Sequence, residues 1–480
     1  MYCGYITTLK NVRPHPNADK MKLADCFGNT ICVGLDAVED ETVVYFPTDG
    51  QLSVEFCEYN NLVRKKDEAG NNIGGYLDPD KRNIKAIKLR GEKSDGLALS
   101  LSCLEYTGIN FDDLNVGDKI EVVNGHDICC KYIPRSNHRG GANGGNRTRK
   151  HKAPIAPLFA EHADTEQLAY NLSAFKPGDE IEITLKMHGT SQRTGYFPVL
   201  KGYKRTIFDW LFRKEGKPIY DWGYVSGTRR TVLENFEGGY YGDNAFRETH
   251  SKVFEGKLNK GEEVFYEVVG FTTTGTPIMA TASNKKLNDK DFVKQYGDET
   301  VFSYGCEPNP KNLVVADATA NEIVGIKIPL APQSDIYVYR MTMTNEDGFT
   351  VEYTPDFMRY RCEQMGVKCV PVLWKGTIPT TFDIDVFEDG SLIESYNVNA
   401  GDWIKKVAEQ YYDGPDPVGK THVREGVVVR IINRPKFCAY KHKNFSFKVL
   451  EGIIKDTAEA PDMEEADGLE LEVEATDLEY

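Results

Sequence analysis

The chain has 480 residues, with 58 Lys and Arg against 73 Asp and Glu, and a formal net charge of −15. This length exceeds what one ordinary hydrophobic core supports, so we expect two or three domains. Its composition, 40% hydrophobic and 27% charged, is typical of a soluble globular protein. Because no stretch approaches the ~20 apolar residues that cross a bilayer, the sequence excludes an integral membrane protein.

The cysteines and the N-terminus indicate the compartment. The 11 cysteines are scattered and form no Cys-x-x-Cys pair, which argues against a zinc site or a disulfide framework. The first residues lack the basic and apolar regions of a secretory signal. Reduced thiols fit a cytoplasm, or the host cytoplasm for a viral protein. We therefore expect a cytoplasmic protein with no membrane partner.

The negative charge is concentrated at the C-terminus. Residues 456–480 contain eleven Asp or Glu and no Lys or Arg, so we expect an acidic disordered tail. Without these eleven charges, the first 455 residues carry a net charge of −4. Two stretches, 131–152 and 420–448, are basic, and the second has Glu425 as its only acid. The net charge of the whole chain therefore does not exclude a nucleic-acid partner.

Residues 1–130 read as short strands separated by Gly and Asn/Asp turns, which predicts a small β-barrel. The strand candidates are Ile31–Val33, Thr42–Phe46, Ile84–Leu89 and Lys119–Val123. Within this region, Val12–Lys20 together with Ile87–Gly96 resembles the OB-fold modules that bind tRNA in synthetase-associated domains. Such barrels bind oligonucleotides through basic and stacking side chains. The alternative is an OB-like barrel kept only for docking, because fold does not determine function.

A basic, glycine-rich linker over 131–153 separates this module from a larger domain over 154–455. One helix is predicted over Pro355–Met365, with Thr354 as its N-cap and Gly366 as its stop. A second helix is predicted over Trp403–Tyr412. The other segments of this domain alternate like strands.

Four strands of the larger domain carry the candidate chemistry. The segment Glu180–Lys186 alternates with period 2 and ends in a lysine beside a glycine turn, where the amine can meet a phosphate. Glu267 lies among apolar residues and needs a partner, because an unpaired buried charge is costly. Glu425 opens another strand beside a glycine that allows close backbone approach. Lys441 and Lys443 share one face of a strand and repel each other unless an anion lies between them.

Taken in order, these segments resemble the motifs of the covalent nucleotidyltransferases, the superfamily of nucleic-acid ligases and capping enzymes. The Lys-x-His-Gly-Thr-Ser form at Lys186 and the Lys-x-Lys-Asn form at Lys441 are similar to ATP-dependent RNA ligases. The N-terminal OB-like module resembles that of bacterial nick-sealing RNA ligases. The resemblance implies an α+β fold, with an N-terminal OB-like β-barrel and an adenylyltransferase domain of antiparallel sheets flanked by helices.

The resemblance also implies roles for the residues that contact ATP. Lys186 is the nucleophile that becomes lysyl-AMP, and His188 assists near the phosphates. Lys441 and Lys443 contact the α-phosphate and help to expel pyrophosphate. Glu425 binds the catalytic metal, Mg²⁺ or Mn²⁺.

Three further residues are implied in nucleotide binding. Glu267 holds the ribose hydroxyls. Arg229 contacts a phosphate, with Arg230 as the alternative. Tyr339 stacks on adenine, with Tyr337 as the alternative. The family usually has an acid after this aromatic residue, whereas this chain has Arg340.

The implied activity joins the 3′-hydroxyl and 5′-phosphate ends of RNA through lysyl-AMP and an adenylylated RNA end, which suits the repair of nicks in RNA. The implied partner is RNA or an RNA-containing duplex, and we expect a monomer. The motifs do not identify the physiological substrate. They also leave the long segments 196–263 and 271–335 and the acidic tail without a role.

Two other classes share parts of this pattern. DNA ligases and capping enzymes share the first four motifs, but they place a further OB domain after the paired lysines, and only 37 residues follow Lys443 here. A noncatalytic RNA-end or tRNA-binding protein could use the same scaffold. Such a protein has no need for the full set of lysines and acids, and a mass gain of one AMP on the purified protein discriminates between the two classes.

Overall fold

The computed structural model describes residues 2–66, 72–133, 153–207, 216–236, 244–316, 325–380, 383–388, 391–397 and 399–456. Most of the predicted linker and nearly all of the predicted acidic tail lie outside these residues. The chain forms two compact units. The first unit comprises residues 1–135 and the segment 445–457, and the second comprises residues 136–444. Among the described residues, no helix is long and apolar enough to cross a membrane.

The first unit is built mainly from short antiparallel strands. They are β1 (Gly4–Thr8), β2 (Lys10–Pro14), β3 (Lys22–Cys26), β4 (Asn29–Val33), β5 (Thr42–Phe46), β6 (Gly50–Leu52), β7 (Lys65–Lys66), β8 (Asn72–Gly74), β9 (Ala86–Leu89), β10 (Glu92–Asp95), β11 (Leu97–Ser100), β12 (Lys119–Ile120), β13 (Val122–Val123), β14 (His126–Asp127) and β15 (Cys129–Lys131). Helix α1 spans Val54–Tyr59, and 3₁₀ turns span Leu101–Thr107 and Phe111–Asp113.

An apolar core lies against the four-stranded sheet of this unit. Ile6, Val44 and Phe46 point from the four-stranded sheet β11-β5-β1-β12 into a cluster that also contains Phe56 of α1. Thr42–Phe46, which was read as a strand from the sequence, is confirmed as β5 with the same bounds. The described strands form several open sheets, and none of these sheets closes on itself. The OB-like barrel therefore stays a prediction.

The second unit contains longer strands and several helices. Its strands are β16 (Glu166–Gln167), β17 (Glu180–Lys186), β18 (Thr190–Lys204), β19 (Lys217–Gly227), β20 (Val232–Leu233), β21 (Glu262–Gly270), β22 (Ala282–Ser283), β23 (Glu299–Thr300), β24 (Asn312–Ala316), β25 (Gly325–Pro329), β26 (Ser334–Thr344), β27 (Thr350–Glu352), β28 (Lys368–Cys369), β29 (Val372–Thr377), β30 (Asp383–Glu388), β31 (Ser391–Asn397), β32 (Gly426–Ile431) and β33 (Cys438–Lys443). Its helices are α2 (Ala245–Lys252), α3 (Lys290–Tyr296), α4 (Pro355–Met365) and α5 (Ala400–Glu409), with 3₁₀ turns at Leu168–Tyr170, Leu172–Ala174 and Asn284–Leu287.

One mainly antiparallel sheet of the second unit has the strand order β16-β33-β32-β17-β29. Alternate residues of β17 and β32, among them Ile183 and Val429, point into a core covered by Ile404 and Ala408 of α5. Because side chains alternate between the two faces of a strand, the other face carries the polar residues of the same strands. This face bears Lys186.

The second sheet has the order β20-β19-β18-β21-β26-β27, with β28 beside β26. Its core joins Val264 and Val338 of the central strands to Phe246 of α2 and Met358 of α4. The two sheets and their helices give a mixed fold of antiparallel sheets flanked by helices.

The two predicted helices of this unit have different outcomes. Helix α4 has the predicted bounds: the Thr354 side chain accepts a hydrogen bond from the N–H of Phe357, and Gly366 adopts the left-handed conformation. The second helix is confirmed, but it begins at Ala400 rather than Trp403 and ends at Glu409. Its N-cap is Asn399, which accepts a hydrogen bond from the N–H of Asp402. Capping satisfies the first free N–H groups of the helix, so the helix starts where that acceptor stands.

Helix α6 (Phe445–Asp456) follows β33 directly but belongs to the first unit. It buries Phe447 and Leu450. Its Lys448 lies 2.6 Å from Asp95, and its Lys455 lies 3.0 Å from Asp49. The predicted larger domain, 154–455, included nearly all of this helix, whereas the compact units assign the helix to the first unit.

Candidate active site

Neighbouring strands of the five-stranded sheet bring the predicted lysines together. Lys186 on β17 is opposite Gly426 on β32, and Gly426 is opposite Lys443 on β33. Because opposite residues on adjacent strands project from the same face, Lys186 and Lys443 share the face that is turned away from the apolar core. Lys441, opposite Val428, lies two residues earlier on that face.

Glu425 is the centre of this cluster. Nζ of Lys186 lies 2.7 Å from its Oε1, and Nδ1 of His188 lies 3.2 Å from its Oε2. Nζ of Lys443 lies 3.8 Å from Oε1. A single carboxylate therefore contacts three of the residues that the sequence singled out.

The electrostatics of Glu425 follow from these contacts. Its side chain is only 2% exposed. Burial raises the pKa of such a carboxyl, but the charge of Lys186, the hydrogen bond with His188 and the charge of Lys443 together outweigh burial and lower the pKa of Glu425 to about 2. The carboxylate is therefore ionised at neutral pH.

Backbone contacts hold Glu425 in place. A Cβ on Gly426 would lie 2.1 Å from the carbonyl oxygen of His442, so only glycine allows β32 to approach β33 this closely. The N–H of Asn444 donates to the carbonyl oxygen of Glu425 over 2.8 Å. These two contacts fix the start of β32 against the end of the strand that carries the paired lysines.

The second sheet carries Glu267 and the aromatic candidates. Glu267 on β21 is opposite Ser191 on one side and Tyr337 on the other. The pairing of β21 with β26 passes over Tyr339, so this residue lies in a β-bulge, a feature that redirects a side chain. The hydroxyl of Tyr339 lies 3.0 Å from Oγ of Ser191. Tyr339 therefore contacts the strand that follows the Lys186 turn, whereas Tyr337 pairs with Glu267 on β21.

Arg340 stands where the resemblance implies an acid after the aromatic residue, and it contacts one acidic and two aromatic side chains. Its guanidinium forms an ion pair with Glu352. It also lies over the rings of Phe265 and Phe437, at 4.6 Å from each centroid. These contacts account for a buried arginine at this position of β26.

Arg229 and Arg230 share an acidic partner that the sequence analysis missed. Nη1 of Arg229 lies 3.2 Å from one carboxylate oxygen of Asp164, and Nη2 of Arg230 lies 3.4 Å from the other. Burial alone would raise the pKa of Asp164. The charges of Arg229 and Arg230 outweigh burial, Lys441 adds to their effect, and the pKa of Asp164 is lowered from its ordinary value. Because both arginines contact Asp164, the structure does not decide which of them is the phosphate-binding candidate. Lys441 also interacts electrostatically with the Asp164 carboxylate.

Three more residues at the site were not predicted. The N–H of His188 donates to the hydroxyl of Tyr304 over 2.6 Å, and the His188 ring meets the ring of Phe302 at 4.5 Å between centroids. His162 lies edge-on to Tyr339 at 5.4 Å. Burial and the charge of Arg229 lower the pKa of His162 to about 3, so its ring is neutral. None of the three belongs to a short motif, and the sequence carries no local signal for them.

The residues present fit a divalent cation of the Mg²⁺ type. Among the described residues, no group of three or more His, Cys, Asp or Glu side chains forms a complete metal cage. Glu425 nevertheless offers an ionised oxygen ligand. Mg²⁺ is commonly held by one or two carboxylates together with substrate phosphates and water. A site with one protein carboxylate is therefore sufficient for a metal that arrives with a nucleotide.

No protein-family model matches the chain, and no curated protein sequence matches it. A mutant RNA ligase of Naegleria gruberi, solved with ATP and manganese, matches at 15% identity and a TM-score of 0.51, over 95% of this chain and 99% of that chain. Another mutant of that ligase, solved with AMP and manganese, matches at 14% identity and a TM-score of 0.52, over 94% and 99% of the two chains. At these identities the likeness concerns the fold, and this chain has the fold of those RNA ligases.

Proposed function

We propose that the protein is an ATP-dependent RNA ligase. The observation that carries the proposal is the contact of Glu425 with Lys186, His188 and Lys443, within a fold shared with RNA ligases. A nucleophilic amine, an ionised carboxylate and a second cation on one sheet face are the groups that nucleotidyl transfer needs.

The proposed reaction begins with ATP. The neutral amine of Lys186 attacks the α-phosphorus, a P–N bond forms, the bond to pyrophosphate breaks, and the amine proton passes to solvent. In the second step an oxygen of an RNA 5′-phosphate attacks the same phosphorus, the P–N bond breaks, and the Lys186 amine leaves with a proton taken from solvent. In the third step the 3′-hydroxyl of the other end attacks the 5′-phosphate and gives its proton to solvent, the phosphodiester forms, and AMP leaves.

The chain's own residues have distinct tasks in the first step. Lys186 and Glu425 form an ion pair, and this pair must open before the amine can attack. Lys443 and Lys441, on the same face of the sheet, neutralise charge on the phosphates. His188 contacts the same carboxylate and keeps it ionised for a cation. Glu425 would hold Mg²⁺ or Mn²⁺, which supplies positive charge to the phosphate oxygens.

The remaining site residues bind the nucleotide in this proposal. Glu267 takes the ribose hydroxyls, Arg229 a phosphate, and Tyr339 the adenine. The support is their placement: Glu267 and Tyr339 flank Ser191, five residues after Lys186. The similar ligases were solved with manganese and either ATP or AMP.

The first unit is proposed to be an OB-like module that binds the RNA. The finer proposal is a nick-sealing ligase of the bacterial type that acts as a monomer in the cytoplasm on RNA or RNA-containing duplexes with 3′-hydroxyl and 5′-phosphate ends. Its support is the resemblance of the motifs at Lys186 and Lys441 and of the N-terminal segments.

Transfer of label from α-labelled ATP tests the proposal. The wild-type chain should gain one covalent AMP in the presence of Mg²⁺ or Mn²⁺, with the stability to alkali and lability to acid of a P–N bond, and Lys186→Ala should gain none. Lys201→Ala, an exposed lysine on β18, is the matched control and should label normally. An unlabelled wild-type chain would support a binding-only protein on a ligase scaffold instead.

A panel of nicked strands then tests the substrate. A nick flanked by RNA on both sides should be sealed faster than one flanked by DNA. The same panel with GTP in place of ATP separates a ligase from a capping enzyme. Preferential sealing of DNA would overturn the RNA assignment while leaving the lysine chemistry in place.

A further inference from the structure

A tight turn in the long segment between β21 and β26 reaches the site. Residues 302–306, here called the Tyr304 turn, follow β23. The turn is closed by a hydrogen bond from the N–H of Cys306 to the carbonyl oxygen of Ser303 over 2.8 Å. No sequence motif assigns a role to residues 271–335, which contain this turn.

The Tyr304 turn holds the backbone just after the proposed nucleophile. The hydroxyl of Tyr304 accepts the N–H of His188 at 2.6 Å. The ring of Phe302 meets the ring of His188 edge-on at 4.5 Å. Backbone and side chain of the second residue after Lys186 are thus both held by the turn.

The same turn also packs against the segment that leads into Glu425. The ring of His422 lies 4.6 Å from that of Tyr304 and 5.1 Å from that of Phe302. A Cβ on Gly419 would lie 2.7 Å from the backbone nitrogen of Gly305, so glycine is needed for this close approach. The Tyr304 turn therefore contacts the segment just after Lys186 and the segment just before Glu425, the two residues that form the ion pair.

Tyr304 adopts a conformation that bulky residues rarely take. Its φ is +48°. A non-glycine residue in the left-handed region is strained and persists only where its surroundings enforce it. The residue is 3% exposed, so packing enforces the conformation here. Such strain clusters at functional sites, and this turn is placed at one.

The environment keeps the Tyr304 hydroxyl a neutral acceptor. Burial raises its pKa well above the usual range, and the carboxylates of Glu425 and Glu267 add to the effect. The hydroxyl is thus exposed to the electrostatic field of Glu425 and Glu267.

Resting on the proposed ligase activity, we propose that Tyr304 is a positioning residue for the attack of Lys186 on ATP, acting through its hydrogen bond to the backbone of His188. It makes no proposed contact with the nucleotide. Its hydroxyl fixes the turn after Lys186, and the rings of Phe302 and Tyr304 support that turn and the segment before Glu425 together. Geometry of the reacting groups limits such transfers, so a small displacement of this turn slows the chemical step.

Tyr304→Phe is the direct test, because it keeps the ring and removes only the acceptor. Single-turnover labelling with α-labelled ATP should slow about tenfold, the rate equivalent of one net hydrogen bond. The ATP concentration for half-maximal rate should stay unchanged. Joining of a pre-adenylylated RNA end, which needs no attack by Lys186, should fall less than threefold. General damage to the fold would instead lower both activities.

Two further variants keep the test decisive. Tyr296→Phe removes a hydroxyl from the same long segment, where the Tyr296 ring packs on Phe292 at 4.6 Å, and should label like wild type. Phe302→Leu removes the ring against His188 and should slow labelling in the same direction. A wild-type labelling rate in Tyr304→Phe would overturn the inference, as would equal losses in labelling and in joining of the pre-adenylylated end. A wild-type chain that takes no label would overturn the proposed ligase function itself.

Discussion

Nζ of Lys186 lies 2.7 Å from Oε1 of Glu425, so the proposed nucleophile and the proposed metal-binding acid form an ion pair. Lys186 ends β17, Glu425 immediately precedes β32 of the same sheet, and the acid is almost completely buried. Each charge of the pair therefore lies in the electrostatic field of the other. In the proposed reaction, the carboxylate exchanges the lysine for another cation before the amine attacks.

Glu425→Gln should stop metal-dependent labelling. The amide keeps the size of the side chain but removes the charge that attracts a divalent cation, so labelling should fall by about 100-fold or more, the effect of losing several kcal/mol of charge stabilisation. The measurement is single-turnover labelling over a series of Mg²⁺ and Mn²⁺ concentrations. Glu363→Gln, an exposed acid on α4, is the control. Unchanged labelling with unchanged metal dependence in Glu425→Gln would contradict the assignment.

The buried pair of Glu263 and Arg193 predicts a pH-dependent stability. Oε1 of Glu263 lies 3.2 Å from Nη1 of Arg193. Burial raises the pKa of Glu263 from its ordinary value of 4.5 to about 7, because it outweighs the attraction of Arg193. A carboxyl whose folded pKa is raised stabilises the fold below its unfolded pKa, and this contribution is lost as pH rises through 7.

Wild type should therefore lose stability between pH 5.5 and 8.5, and Glu263→Gln should lose less. The difference has an upper limit of about 2 kcal/mol, from 1.36 kcal/mol for each of the about 1.5 pKa units between pH 5.5 and the folded pKa. Urea unfolding at the two pH values measures it. Glu248→Gln, which replaces a partly exposed acid paired with Lys252, should follow wild type. A pH dependence of Glu263→Gln equal to that of wild type would exclude Glu263 as the titrating group.

The buried carboxylate of Glu182 predicts a strong dependence on Arg359. Glu182 lies on β17, four residues before Lys186, and is 3% exposed. Its two oxygens accept hydrogen bonds of 2.9 and 2.8 Å from Arg359. Arg359→Met leaves this charge buried without its partner and should lower the free energy of unfolding by about 3 kcal/mol.

A double change separates this effect from lost packing. Glu182→Met with Arg359→Met removes both charges and should recover most of the lost stability. Lys375→Met, which breaks an exposed contact with Asp356, should change stability by less than about 0.5 kcal/mol. Equal losses in the single and the double variant would show that the charge pair is not the cause.

Local patterns predicted the elements that carry the site. The caps of α4 depend on Thr354 and Gly366, which act within one helical turn, and both its ends were predicted. The period-2 alternation of Glu180–Lys186 predicted a strand with those bounds. Alternation alone also assigns Lys441 and Lys443 to one face of their strand, because they are two residues apart.

Contacts between distant segments could not be read in the same way. Tyr304 contacts His188 across 116 positions of the chain, and Asp164 meets Arg229 across two segments that share no motif. Such pairs depend on which strands become neighbours, and no local pattern states that. Helix α6 illustrates the same limit, because its sequence does not say which unit its apolar side chains enter.

Gly426→Ala should disrupt the site without changing any charge. The added Cβ would lie 2.1 Å from the carbonyl oxygen of His442, which forces β32 away from β33 and Glu425 away from Lys443. We expect a loss of at least about 2 kcal/mol in unfolding free energy, as for other overpacked positions, and labelling below a tenth of wild type. Gly452→Ala in α6 is the matched control, since its Cβ would lie 4.0 Å from its nearest neighbour and alanine favours helix. Normal labelling by Gly426→Ala would show that the close approach of the two strands is not required.

The placement of α6 predicts that the last described helix stabilises the N-terminal residues. Leu450 is fully buried, and Lys448 and Lys455 form ion pairs with Asp95 and Asp49 of the same unit. Leu450→Ala should therefore cost the first unit about 2–5 kcal/mol, as for other buried leucines. Limited proteolysis read by mass spectrometry should show faster cleavage within residues 1–133, whereas Val449→Ala, at a half-buried neighbour, should change the pattern little. Unchanged cleavage of residues 1–133 in Leu450→Ala would mean that α6 adds no stability to the first unit.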